Sequence, residues 1–307
     1  MYTAIQNVYS KTFNYFHKTH AYLTKNPRLF LVRKLARFEV LRNGIHYLFK
    51  NQKESEEISQ FNHYFFENID LDIINSSLKE NGYYSGLNLP QYIVQEILEF
   101  AESNICYGNR DPKLYFYLSN KKQAEISNGK QFIVGSYLHN IEKCPAINKM
   151  KTEPGLLAIA AKFLEARPVH IASELVWSFP VSTEWIEQLN LAQVFHYDID
   201  DYKFLKFFFY LTNVDMFNGP HVCIRGSHKN KKFLHQLIGL RCANLDDKKI
   251  VDYYGAENLV NFYGPAGFGF VEDPFCFHKG TPPTDKARLF LQLEFAINNY
   301  KDIRSFK

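Results

Sequence analysis

His196 and Asp198 stand two residues apart, His278 follows 80 residues after Asp198, and Arg288 comes 10 after that. Side chains alternate faces along an extended strand. In Val194-Phe195-His196-Tyr197-Asp198 the imidazole of His196 and the carboxylate of Asp198 therefore share one face. A further histidine from another strand completes two imidazoles and a carboxylate. That set holds non-heme Fe(II) by one face and leaves its other positions open. An H-x-D triplet alone arises often by chance, and a single histidine in a strand is usually a hydrogen-bonded core residue. The triplet with a distal histidine and a following arginine is far more specific. Arg288, Phe290, Gln292 and Glu294 alternate with Leu289, Leu291, Leu293 and Phe295, so the guanidinium lies on the less apolar face of a strand. A cation there needs an anion, and its planar fork matches a carboxylate in two-point contact.

Elements able to position these groups are legible in the periodicity. With 307 residues, 46% of them hydrophobic and 16% aromatic, the chain can bury a sizeable core. From Pro168 onward, strands are expected over Val169–Phe179, Ala192–Asp198, Phe204–Val214, Val222–Ile224, Phe268–Val271 and Ala287–Ile297, joined by Gly, Pro and Asn turns. Phe207-Phe208-Phe209-Tyr210 reads as a strand buried on both faces. Before them, Pro90 and Pro154-Gly155 each open a helical pattern. Short strands after a run of helices suggest an α+β chain whose catalytic part is a double-sheet jelly roll. The five cysteines are scattered without C-x-x-C spacing, which excludes a zinc site of that kind and argues against a disulfide framework.

The stretch "FHYDIDDYKFLKFFFYLTNVDMFNGPHVCIRGSH" from Phe195 to His228 resembles the phytanoyl-CoA dioxygenase-like family of Fe(II)/2-oxoglutarate oxygenases. Its shared features are H-x-D, an apolar strand, an N-G turn and a G-S-H turn. "GPAGFGFVEDPFCFHKGTPPTDKARLFLQLEF", Gly264 to Phe295, is similar to the family's closing half, and "NGYYSGLNLPQYIVQEILEF", Asn81 to Phe100, carries a weaker likeness. Arg225 departs from the pattern, where a proline usually precedes G-S-H. The resemblance implies a double-stranded β-helix with flanking helices, with iron on His196, Asp198 and His278. It further implies Arg288 on the distal carboxylate of 2-oxoglutarate, while Lys206 or Tyr210, on the neighbouring strand, are candidates either for the other end of that co-substrate or for a structural role. The reaction it implies is O2-dependent hydroxylation of an aliphatic C–H bond in a small-molecule or lipid-like substrate, with release of succinate and CO2. Desaturation or cyclisation are variants of the same chemistry. His221 and His228 are read as turn or core residues, Asp200 and Asp201 as a solvated loop, and Tyr83, Tyr84 and Trp177 as core or pocket aromatics.

Residues 1–50 hold nine cations against the single carboxylate Glu39, in a chain of net charge +4, so the remainder is net negative. Leu31, Leu35, Phe38, Leu41, Ile45, Leu48 and Phe49 recur at helical spacing. This stripe is expected to pack on the domain, with peripheral contact to an acidic or lipid surface as the other use of the basic segment. Residues 1–60 are thus a basic amphipathic helical segment, with 51–62 a polar connection. Residues 61–307 form the oxygenase domain, whose jelly-roll core spans about 168–300. No apolar run is long enough to span a membrane, and no leader pattern opens the chain, so the expected location is the cytoplasm. Nucleic acid is not the expected partner. The competing readings are an oxygenase acting on nucleic acid or protein, and a catalytically silent jelly-roll binding protein.

Overall fold

The computed structural model describes residues 26–58, 65–66, 69–181 and 191–300, together with Thr24. Its strands are β1 (Tyr83–Ser85), β2 (Cys106–Gly108), β3 (Tyr115–Phe116), β4 (Val134–Ser136), β5 (Val169–Ser178), β6 (Phe204–Tyr210), β7 (His221–Ile224), β8 (Leu259–Phe262), β9 (Gly269–Glu272), β10 (His278–Gly280) and β11 (Arg288–Ala296). They form an eight-stranded sheet in the order β1-β9-β6-β11-β5-β4-β2-β3 and a three-stranded sheet in the order β10-β7-β8. Every named pair is antiparallel. The mixed helical and antiparallel organisation expected from the sequence is present. Four of the large sheet's strands, β1 to β4, come from before residue 168.

The phenylalanine-rich run forms β6, buried throughout its length at the middle of the large sheet. Phe207 and Phe209 join the main core with Leu289, Leu291, Leu293 and Phe295 of β11 and the helices Gln91–Ser103 and Pro154–Leu164. Phe208 and Tyr210 face the small sheet, where they meet Cys223 and Phe262, together with Phe270 of the neighbouring β9. Each fully buried Leu or Phe side chain contributes about 1.5–3 kcal/mol. The alternation of β11 thus anchors one face in the core and leaves Arg288, Gln292 and Glu294 on the other. Pro90 caps the helix Gln91–Ser103, and Pro154 opens the helix that ends at Leu164.

Three expectations are corrected. Ala192–Asp198 is not a strand but a loop with a single β-bridge, from His196 to His278. Within 51–62, residues Gln52–Ile58 form a helix against Pro154–Leu164, and 59–62 lie outside the described residues. The basic segment is two helices, Pro27–Leu35 and Glu39–Phe49, and only part of the expected stripe packs on the domain, where Leu35 and Ile45 lie against a buried cluster. Leu29, Val32, Ala36 and Arg42 are buried, whereas Leu31, Leu41, Leu48 and Phe49 are exposed. Arg42 is tolerated inside because its guanidinium lies 4.0 Å from the Phe275 ring centre and donates to the His228 carbonyl at 2.7 Å. Residues 1–23 fall outside the described residues. No described helix is long and apolar enough to cross a membrane. All five cysteines are free and buried.

Candidate metal centre

His196, Asp198 and His278 converge, each offering a ligand atom within 4.8 Å of the others. The loop carrying His196 and Asp198 is held by backbone hydrogen bonds to the segment carrying His278. His196 N donates to His278 O at 3.0 Å, His278 N to His196 O at 2.8 Å, and Asp198 N to Pro274 O at 2.9 Å. The extended geometry read from the sequence therefore survives locally without a full strand. Both imidazoles are oriented by carbonyls, which can only accept. His196 Nδ1 donates to Val194 O at 2.8 Å and His278 Nδ1 to Cys276 O at 3.0 Å. The protons are thereby placed on Nδ1, and the Nε2 lone pairs are left for a metal. His278 Nε2 lies 3.6 Å from Asp198 Oδ2. Burial, reinforced by the neighbouring His278, pulls the His196 ring down to about 4, so it is neutral and able to ligate at neutral pH. Two bare imidazole nitrogens and a carboxylate suit a divalent transition metal such as iron.

A second layer of charge lies behind these ligands. Lys206, 2% exposed at its side chain, pairs with Asp198 Oδ2 and sits 3.7 Å from Glu294 Oε2. Burial alone would pull its ammonium down, but Asp198 and Glu294 outweigh that and hold it above the usual lysine range. The register explains the meeting, since Lys206 of β6 stands opposite Glu294 of β11 and Glu272 of β9. His221 Nε2 lies 2.7 Å from Glu272 Oε2, and its ring stacks on His278 with centroids 5.5 Å apart. Burial pushes the Glu272 carboxyl well up and the His221 imidazole well down, favouring the uncharged form of each.

Arg288 is 4% exposed and shares with the triad a cavity of about 620 Å³. It donates to Ser178 Oγ at 3.2 Å and lies over the Phe290 ring, its carbon 4.9 Å from the centroid. Its Nε has no hydrogen-bond partner, and no carboxylate among the described residues pairs with it. A buried, uncompensated guanidinium of this kind is costly, and an anion entering the cavity relieves it. Tyr210 also lines the cavity, but its hydroxyl donates to Phe262 O at 3.0 Å and accepts from His221 N at 2.9 Å.

Other candidates fall elsewhere. His228 braces a turn, its Nε2 3.1 Å from Lys79 O. Asp200 and Asp201 are not solvated: Asp200 pairs with Arg33 at 2.8 Å, and Asp201 accepts from Asn298 N at 2.7 Å. Tyr84 and Trp177 belong to the core, and Trp177 Nε1 donates to Tyr137 at 3.2 Å. Sequence reading missed Ser178 beside Arg288, the Glu294 and Glu272 carboxylates behind the ligands, and the helix Pro27–Leu35 as a cavity wall.

No protein-family model and no curated protein matches the chain. Solved structures do. EctD from S. alaskensis, crystallised with bound Fe, is 14% identical with a TM-score of 0.50 over 76% of this chain and 80% of its own. HygX from Streptomyces hygroscopicus, with nickel and 2-oxoglutarate bound, is 13% identical with a TM-score of 0.49 over 73% of this chain and 86% of its own. AviO1 from Streptomyces viridochromogenes Tue57 is 15% identical with a TM-score of 0.47 over 75% and 96%. This chain has the fold of EctD, a mixed helical and antiparallel-sheet fold seen there around iron.

Proposed function

We propose that the protein is an Fe(II)/2-oxoglutarate-dependent oxygenase of the phytanoyl-CoA dioxygenase-like kind, hydroxylating an aliphatic C–H bond in a small-molecule or lipid-like substrate. Its core, within residues 168–300 of a domain spanning 61–307, is read as a double-stranded β-helix. The observation that carries the reading is one cavity holding both a His-Asp-His set and an uncompensated arginine. The iron in EctD, which shares this fold, supports iron as the metal.

His196 and His278 would hold the metal through Nε2 and Asp198 through a carboxylate oxygen, while Arg288 and Ser178 receive the distal carboxylate of 2-oxoglutarate. When bound, iron with 2-oxoglutarate and O2 supplies the oxidising power that breaks an unactivated C–H bond, with succinate and CO2 released. The protein's part is positional. Val194 O and Cys276 O fix the ring orientations of the two histidines. Lys206, expected at the co-substrate, is better used steadying Asp198 against the negative charge of Glu294. Tyr210, whose hydroxyl is engaged by the backbone, serves as cavity wall, and with Phe208, Phe290 and Val176 it excludes water. A carboxylate at Asp198 fills a position that related halogenases leave open to halide, which favours hydroxylation.

The test is release of labelled CO2 from carboxyl-labelled 2-oxoglutarate. Release should require Fe(II) and disappear in His196→Ala. Failure of any iron-dependent release in the intact chain would count against the reading.

A further inference from the structure

The helix Pro27–Leu35 and the turn at 238–243 form the outer wall of the cavity that holds the triad. They bring Arg33, Lys34 and Arg241 to it, Arg37 joins from the turn that follows the helix, and Arg110 from another segment. Two of these five are neutralised, Arg33 by Asp200 at 2.8 Å and Arg110 by Glu174 at 3.2 Å. Among the described residues, Lys34, Arg37 and Arg241 form no ion pair, and no further carboxylate besides Asp198 lines the cavity. Three cations of one sign around one opening repel each other and focus a positive potential into it.

Their placement is built rather than incidental. Arg37 donates to Leu237 O at 3.0 Å, lies 4.8 Å from the Phe38 ring centre, and keeps a buried Nε without a partner. Its stem crosses Gly239, where an added Cβ would come within 3.3 Å of Arg37 Cδ. Lys34 lies over the Phe30 ring at 5.2 Å. The same cavity is also lined by the apolar side chains of Leu29, Phe30, Leu191, Val194, Ile238 and Leu240. A volume of about 620 Å³ suits an elongated molecule of modest size.

We propose that Lys34, Arg37 and Arg241 form an anion-recognition rim that selects a substrate with an apolar segment ending in a phosphate or carboxylate. The anionic end stays at the rim and the apolar segment runs inward. The inference rests on the oxygenase reading only for what happens at the inner end, because the rim acts in binding.

The test is calorimetric binding of octyl phosphate, octanoate and the uncharged octyl glucoside to the full-length chain. Titrations are run with Fe(II) and 2-oxoglutarate present anaerobically, and again with neither in an Arg288→Ala background. Both arms silence Arg288, and the second gives an answer even if the oxygenase reading fails. At least one anionic probe should bind about tenfold more tightly than the uncharged one, with a preference that fades as salt rises. Which of the two binds more tightly separates phosphate from carboxylate. Lys34→Ala/Arg37→Ala/Arg241→Ala should abolish the preference, and Lys34→Ala/Arg241→Glu, which spares the packed Arg37, should lower it with an unchanged melting temperature. Equal binding of charged and uncharged probes would overturn the proposal. So would an undiminished preference in both variants.

Discussion

His196 and His278 are hydrogen-bonded to each other through their backbones in both directions, at 3.0 and 2.8 Å, although a long stretch of sequence separates them. The bridge sets the distance between the two imidazoles without using either ring. Metal binding and folding are therefore separable here. His278→Ala should lose tight Fe(II) binding while unfolding free energy falls by only about 1–2 kcal/mol. Metal titration and denaturant unfolding of the same variant check both halves.

Arg288 is buried in the cavity wall, donates to Ser178 Oγ at 3.2 Å and forms no ion pair among the described residues. Arg288→Ala should raise the 2-oxoglutarate requirement at least about tenfold, since truncating one side of a buried charged contact typically costs roughly 2–5 kcal/mol. Affinity for Fe(II) should hardly change. Arg288→Lys should recover only part, because a point charge lacks the fork. The check is the half-saturating 2-oxoglutarate concentration set beside that for Fe(II).

Lys206 stands between two carboxylates deep behind the site. Lys206→Met should destabilise the metal-free protein by about 3–5 kcal/mol, leaving Glu294 buried without its cation. Adding Glu294→Gln should return part of the loss, as expected for coupled neighbours. Urea unfolding of the single and double variants measures the coupling.

Lys231 is buried with no hydrogen-bond partner, its Nζ 3.9 Å from the ring centres of both Tyr197 and Phe277. Burial pulls its ammonium down to about 7 from 10.5. Between those values the unfolded chain binds more protons than the native one, so this group makes stability rise with pH from about 7 towards 10. Below that window the full penalty is present, roughly 3 kcal/mol once the ring faces are allowed for. Lys231→Met should flatten this part of the pH–stability curve, read by unfolding at several pH values.

The H-x-D motif and Arg288 were legible because both depend on local alternation, which holds wherever the backbone is extended. The strand expected over Ala192–Asp198 failed because only His196 finds a bridge partner there, and pairing is a property of the other chain segment. The basic helices were legible in type but not in facing. Whether Arg42 or Leu41 turns inward depends on Phe275, a ring far away in sequence. Asp200 and Asp201 looked like a solvated loop because their partners, Arg33 and Asn298, come from opposite ends of the chain. Lys206 meets Glu294 only once β6 and β11 are known to be neighbours.

The most direct measurement is anaerobic titration of the protein with Fe(II) and then 2-oxoglutarate, followed by visible absorption. A charge-transfer band should appear only when both are present. It should vanish in Asp198→Ala and His278→Ala, and need more 2-oxoglutarate in Arg288→Ala. A full-strength band in Asp198→Ala, or no band in the intact protein with both components saturating, would contradict the assignment of this cavity as the iron and 2-oxoglutarate site.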